Sequence, residues 1–127
     1  MSKKIIRTNN APQPIGPYNQ AVQIGNLIYT SGQIPLDAAG QISVTTVPEQ
    51  TRLVITHLKN ILEAAGSSLS KVVKATVFLK DMNDFAQMNQ VYTEFFSPTE
   101  NAPARSTIQV ARLPKDALVE IEVVAEA

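Results

Sequence analysis

Between residues 72 and 79 the chain alternates, with Val73, Ala75, Val77 and Leu79 against Lys74 and Thr76, which is the period of a strand with one covered face. Ahead of it, Val54, Leu58, Ile61, Leu62 and Ala65 recur at helical spacing. Thr46 and Glu49 are spaced as a capping box, Pro48 suits a first turn and Gly66 supplies a left-handed stop, so a helix is predicted from Thr46 to about Ala65. A second helix is expected after Asp81 or Asn83, ending before Pro98, with Phe85, Met88, Tyr92, Phe95 and Phe96 directed into the core. Residues 105–112 and 118–125 have strand character. Near the start, residues 22–24 and 27–30 flank Gly25-Asn26 as a hairpin, and the turn-rich stretch 35–40 leads to a further hairpin strand at 42–44. The predicted order ββ(β)αβαββ gives an α+β fold, a mainly antiparallel sheet with two helices packed on one face. Without repeat, linker or low-complexity tract, residues 1–127 are expected to form a single domain.

Glu120 and Glu122 share the outer face of the last strand with Leu118 and Val124, a mixture that leaves the face opposite the helices only partly polar. Burial against another copy of the chain is its simplest cover. Composition agrees, because 44% apolar and 17% charged residues leave the surface slightly short of charge. Eleven cationic and eleven anionic side chains cancel, so no broad positive field attracts a phosphate backbone, and nucleic acid is an unlikely partner. The absence of Cys excludes disulfides and thiolate-based metal sites or nucleophiles. The N-terminal residues lack a secretory apolar region and no apolar run approaches about 18 residues, so a cytoplasmic, non-membrane protein is expected.

Few residues carry candidate chemistry. His57 is the sole imidazole, lies among apolar helix positions and has no second ligand for zinc, which favours a structural role. Neither a nucleophile elbow nor a phosphate-binding Gly-Lys-Ser or Gly-Lys-Thr loop is present. Arg105 follows Pro103-Ala104, where stiff backbone can hold a guanidinium to clamp a small carboxylate. Glu120 lies in the most apolar strand, so its carboxylate must be solvated, paired or used as a base. Glu122 and Arg112 raise the same question, and the pattern does not rank them. The prolines at 12, 14 and 17 make the loop before Tyr18 stiff and give that ring a definite place. Taken singly, Tyr18, Ser31 and Asn89 are ordinary, and Phe85, Tyr92, Phe95 and Phe96 are core residues by spacing.

Ile15-Gly-Pro-Tyr18, Thr30-Ser-Gly-Gln-Ile-Pro35, Ala64-Ala-Gly66, Lys74-Ala-Thr-Val-Phe78 and Asp81-Met-Asn-Asp-Phe85 occur in this order. They are followed by Pro103-Ala-Arg-Ser106, Val110-Ala-Arg-Leu-Pro-Lys-Asp116 and Glu120-Ile-Glu122. Together these motifs resemble the reactive intermediate deaminase A (YjgF/RidA) family over essentially the whole chain. The resemblance implies a chorismate-mutase-like fold, a homotrimer with three small clefts between subunits, and hydrolysis of 2-imino or enamine acids to 2-oxo acids and ammonia without metal or cofactor. It implies as substrates 2-aminoacrylate/2-iminopropanoate and 2-iminobutanoate, released by pyridoxal-phosphate-dependent dehydratases. By the same resemblance Arg105 grips the substrate carboxylate and Glu120 positions and activates water. Tyr18, Ser31, Gly32, Asn89 and Thr107 match the remaining cleft positions, Gly32 through its backbone. Thr107 replaces the family's usual cysteine, and Ala102 replaces a common aromatic, so packing and the cleft rim are expected to differ while hydrolysis persists. The competing readings are a non-enzymatic trimer that binds small acids, regulates a partner or acts as a holdase, and RNA cleavage.

Overall fold

A computed structural model describes residues 2–127. Six strands form one sheet: β1 (Lys4–Ile6), β2 (Ala21–Ile24), β3 (Leu27–Thr30), β4 (Val72–Leu79), β5 (Ala104–Gln109) and β6 (Val119–Glu126). Their spatial order is β1-β2-β3-β6-β4-β5, antiparallel throughout except for the parallel pair β4 and β5. Two helices, α1 (Val47–Ala64) and α2 (Phe85–Phe95), cover one face, α2 forming the crossover that a parallel pair requires. The last strand in sequence is thus central, and β5, which carries Arg105, is an edge.

The core lies between α1, α2 and the covered face. Val54, Ile55, Leu58, Ile61 and Leu62 of α1 meet Ala75, Val77 and Leu79 of β4 and Val119, Ile121 and Val123 of β6. Each of the larger side chains contributes about 1.5–3 kcal/mol by leaving water. At the start of α1, the Glu49 amide donates to Thr46 Oγ1 at 3.2 Å, and the Thr46 hydroxyl donates to Glu49 Oε1 at 2.9 Å. At its end Gly66 adopts φ +81°, a left-handed turn open to glycine. Asp81 receives the Asn83 amide at 2.9 Å and starts the turn leading into α2.

Three expectations need correction. Residues 42–44 form no strand, because the chain after β3 makes one bridge, Gln33 to Ile121, and then leaves the sheet. In β4 the register shifts between Val72 and Lys74, so Val72 turns inward and Val73 lies exposed. An extra residue there resets the alternation of faces. Phe85 is 36% exposed rather than core, since it begins α2 beside the sheet edge.

The face opposite the helices is left open. Cross-strand register places Ile5, Val22, Tyr29 and Val124 in one row and Glu120, Phe78 and Ile108 in another. Ile5, Ile24, Tyr29 and Ile108 are exposed on it, an apolar surface that a lone chain exposes to water. Among the described residues no helix is long and apolar enough to cross a membrane.

Candidate active site

Glu120 is positioned largely by backbone. After β3 the chain runs along β6, where the Gln33 amide donates to the Ile121 carbonyl at 2.9 Å and the Ile121 amide returns a bond at 3.2 Å. This bridge lays Gly32 against Glu120. A Cβ at position 32 would stand 2.7 Å from Glu120 Oε2 and 2.8 Å from its Cδ, so the carboxyl occupies the space that any side chain would need. The bond from the Leu118 amide to Gln50 Oε1, 2.8 Å, fixes the approach to β6 from the helix side.

Tyr18 reaches the same region from the proline-rich loop. Buried Gln20 anchors that loop by accepting from the Thr8 amide at 2.8 Å and donating to the Pro12 carbonyl at 2.9 Å. Ser31 braces it further, its amide donating to the Gln20 carbonyl and its hydroxyl to the Asn19 carbonyl. Tyr18, Gly32, Gln33, Pro114 and Glu120 line a cleft of about 110 Å³, with Tyr18 half exposed at its mouth. Burial, and behind it the neighbouring Glu122 carboxylate, raises the Glu120 pKa above the ordinary carboxylate range. A carboxyl tuned upward beside a small cleft suits proton transfer to or from water.

Arg105 lies elsewhere. It registers with Ala75, whose side chain is buried under the helices, so Arg105 faces α2 while Glu120 points to the open side. From β6 to β5 is two strand spacings, and the registers differ by three residues, which separates the two Cα atoms by about 14 Å. Within one chain, therefore, no two- to four-carbon acid touches both. The Arg105 Nη1 donates to Asn89 Oδ1 at 2.7 Å, and its Cζ lies 4.6 Å from the Tyr92 ring centroid and 5.4 Å from that of Phe85. Among the described residues no carboxylate pairs with this guanidinium, the two ion pairs being Arg52 with Glu94 and Arg112 with Asp116. The remaining N–H groups of Arg105 are of the kind that bind a carboxylate in bidentate fashion.

Thr107 shares the inward face of β5 with Arg105, and its hydroxyl is buried without a partner, as is that of Tyr92. Gln109, the next residue on that face, accepts from the Met82 amide at 2.8 Å and ties β5 to the start of α2. Arg112 makes two bonds to Asp116 on the surface, at 2.9 and 3.2 Å, and Glu122 is exposed. His57 donates from Nε2 to the carbonyl of Leu36, a residue that also lines the Glu120 cleft, at 2.9 Å, and burial lowers its pKa.

The structure thus brings Tyr18, Ser31, Gly32 and Glu120 together in one region and Asn89, Arg105 and Thr107 in another. Sequence reasoning missed Gln20, Gln33 and Pro114 on the first side and the roles of Phe85 and Tyr92 on the second. Phe85, Asn89 and Tyr92 fall at i, i+4 and i+7, a spacing shared by a core stripe and by a face aimed at a functional residue.

A family model described as Endoribonuclease L-PSP matches residues 8–127. A RutC family protein of Pyrococcus abyssi is 54% identical over 126 residues, covering 98% of each chain. The Escherichia coli protein TdcF, whose name describes a reactive intermediate deaminase, is 49% identical over 125 residues, covering 97% of this chain and 96% of its own. Among solved structures, the E. coli YjgF gene product is 51% identical with a TM-score of 0.89, covering 97% of this chain and 98% of that one. E. coli TdcF with bound serine is 48% identical with a TM-score of 0.90, covering 98% of each. With a family model spanning nearly the whole chain and relatives at about half identity over almost their full length, the chain belongs to the endoribonuclease L-PSP family, the YjgF/RidA family that its motifs resemble.

Proposed function

We propose that this protein hydrolyses reactive 2-imino and enamine acids to 2-oxo acids and ammonia, in clefts formed between copies of the chain. The observation that carries this reading is the separation itself: an unpaired guanidinium and a carboxyl with raised pKa lie on opposite faces of one sheet. Each is half of a site for a small anion and its attacking water. The open apolar face supplies the surface through which a neighbouring copy brings Arg105, Asn89 and Thr107 to Tyr18, Ser31, Gly32 and Glu120. A closed homotrimer contains three such clefts.

The chemistry needs little more. C2 of a 2-imino acid is already electrophilic, increasingly so when the nitrogen is protonated. Arg105 holds the carboxylate by paired N–H bonds and fixes C2 over the cleft. Glu120 takes a proton from water as its oxygen bonds to C2, giving a carbinolamine. Proton transfer to nitrogen from the same carboxyl makes ammonia the leaving group; as the C2–N bond breaks, the carboxylate so formed takes the hydroxyl proton and the C2–O bond becomes a carbonyl. An enamine is first protonated at C3. The substrate class is 2-aminoacrylate/2-iminopropanoate and 2-iminobutanoate, as produced by pyridoxal-phosphate-dependent dehydratases. The name of TdcF supports the reaction class, and the serine bound to that relative supports a site for small amino-acid-like carboxylates.

Bound serine also favours a second reading, in which the trimer only captures small acids. RNA cleavage, suggested by the family description, has less support: cationic and anionic side chains balance, and the one imidazole is tied to Leu36.

One experiment tests both the reaction and the shared cleft. Arg105→Ala and Glu120→Gln proteins are assayed separately and as co-assembled mixtures on imine generated by a dehydratase. Each alone is expected to be inactive, while random equal mixing restores about one quarter of parental activity, because that fraction of clefts draws both intact residues from neighbours. No recovery in verified mixed assemblies overturns the intersubunit site. A parental protein that binds 2-oxobutanoate but does not accelerate imine hydrolysis overturns the enzyme in favour of the binding protein.

A further inference from the structure

Arg105 is held more firmly than an anion-binding arginine on an edge strand needs to be. An arginine side chain carries about 2 kcal/mol of rotamer entropy, which binding must otherwise remove. Here Phe85, Asn89 and Tyr92 rise along one face of α2, and all three meet the same guanidinium. Of the two rings Tyr92 lies nearer, with Cζ 4.6 Å from its centroid, and is only 6% exposed. Its ring is braced from behind by Phe96, centroid to centroid 4.5 Å at 31°. Asn89 takes up one N–H of Nη1, the cation lies over the two rings, and other N–H donors remain for a carboxylate.

The hydroxyl of Tyr92 explains none of this. Among the described residues it is buried without a hydrogen-bond partner, and it does not contact the guanidinium through a hydrogen bond.

We infer that Tyr92, assisted by Phe85, is a positioning residue: its ring stacks on Arg105 and pre-orders the guanidinium for a planar carboxylate. The inference rests on the proposed role of Arg105 as carboxylate clamp. It assigns to α2 a part in substrate capture that its apolar spacing does not announce.

The test compares Tyr92→Phe, Tyr92→Leu and Phe85→Leu in the assembled protein, using 2-oxobutanoate affinity, kcat and KM on dehydratase-generated imine, and ¹⁵N relaxation at Arg105 Nε. Tyr92→Phe keeps the ring and should hold Kd within about twofold. Tyr92→Leu should weaken 2-oxobutanoate binding and raise KM by about 3- to 30-fold, with kcat changed less, and should loosen Arg105 Nε in the free protein. Phe85→Leu, at an exposed ring, should show the same signature at about two- to threefold and preserves the core if Tyr92→Leu does not fold. Stacking is overturned if the folded Leu variants bind 2-oxobutanoate as the parent does and Arg105 Nε stays equally ordered. A lower melting temperature with unchanged Kd assigns Tyr92 to packing alone and likewise overturns the proposal. Failure of the parent to bind 2-oxobutanoate strikes the clamp role instead, and the Arg105 relaxation then still decides whether the rings order the guanidinium.

Discussion

The two regions that the proposed cleft would join are made in different ways. Around Arg105 the work is done by side chains, with an amide on one nitrogen and two rings near the cation. Around Glu120 it is done by main chain, since the Gln33–Ile121 bridge lays a glycine where any larger residue would displace the carboxyl. The cation is ordered without being neutralised, and the carboxyl is pushed toward its protonated form by burial and by Glu122. Among the described residues neither group finds its opposite charge. In the proposed assembly a second copy bringing the guanidinium beside Glu120 would counter the burial, and assembly, affinity and proton transfer would then be coupled in one cleft.

That contrast makes distinct demands. Arg105→Ala should remove the clamp, lowering kcat/KM by ~10²–10⁴-fold together with 2-oxobutanoate binding. Glu120→Gln should reduce turnover by ~10²–10⁴-fold while 2-oxobutanoate still binds, as measured by calorimetry. If the two variants show the same loss of binding, the halves do not have separate roles. Gly32→Ala should come next, at about 10- to 100-fold in kcat, because the new methyl displaces the carboxyl from its working position. Its φ is not left-handed, so melting temperature should change little, and an unaltered kcat would show that Glu120 need not rest there.

Two smaller effects sharpen the comparison. If Glu120 is the base it must be deprotonated, so kcat/KM should rise with pH through the Glu120 pKa. Glu122→Gln removes a charge that disfavours ionisation and should move this acid limb to lower pH; a limb that stays in place would mean that Glu122 does not reach the cleft. Thr107→Val replaces an unpartnered buried hydroxyl by a methyl on the Arg105 side. It should raise unfolding stability in urea by about 1 kcal/mol with turnover retained. Lost turnover instead would show that the hydroxyl finds its partner in the assembled, substrate-bound cleft.

The elements were legible wherever the local signal was complete. Thr46, Glu49 and Gly66 marked α1 because its ends satisfy themselves within a few residues. Residues 42–44 looked like a strand but have no partner, since β6, arriving last in sequence, takes the position beside β3. Val73 was misassigned because alternation cannot reveal an extra residue until the neighbouring strand sets the register. Arg105 and Glu120 stood out as charges in apolar strands, whereas Phe85 and Tyr92 were hidden by spacing that a core helix also shows.

The amino-acid sequence by itself determined the two helices, most of the strands, the family motifs and the residue types of the candidate site. These follow from short-range rules: period, caps, turns and charge in apolar surroundings. Only the tertiary structure decided that β6 is central and β5 an edge, and therefore that Arg105 and Glu120 face opposite sides of one sheet. Strand order and register arise from pairings between segments far apart in the chain, and no local pattern encodes which way two distant side chains will point.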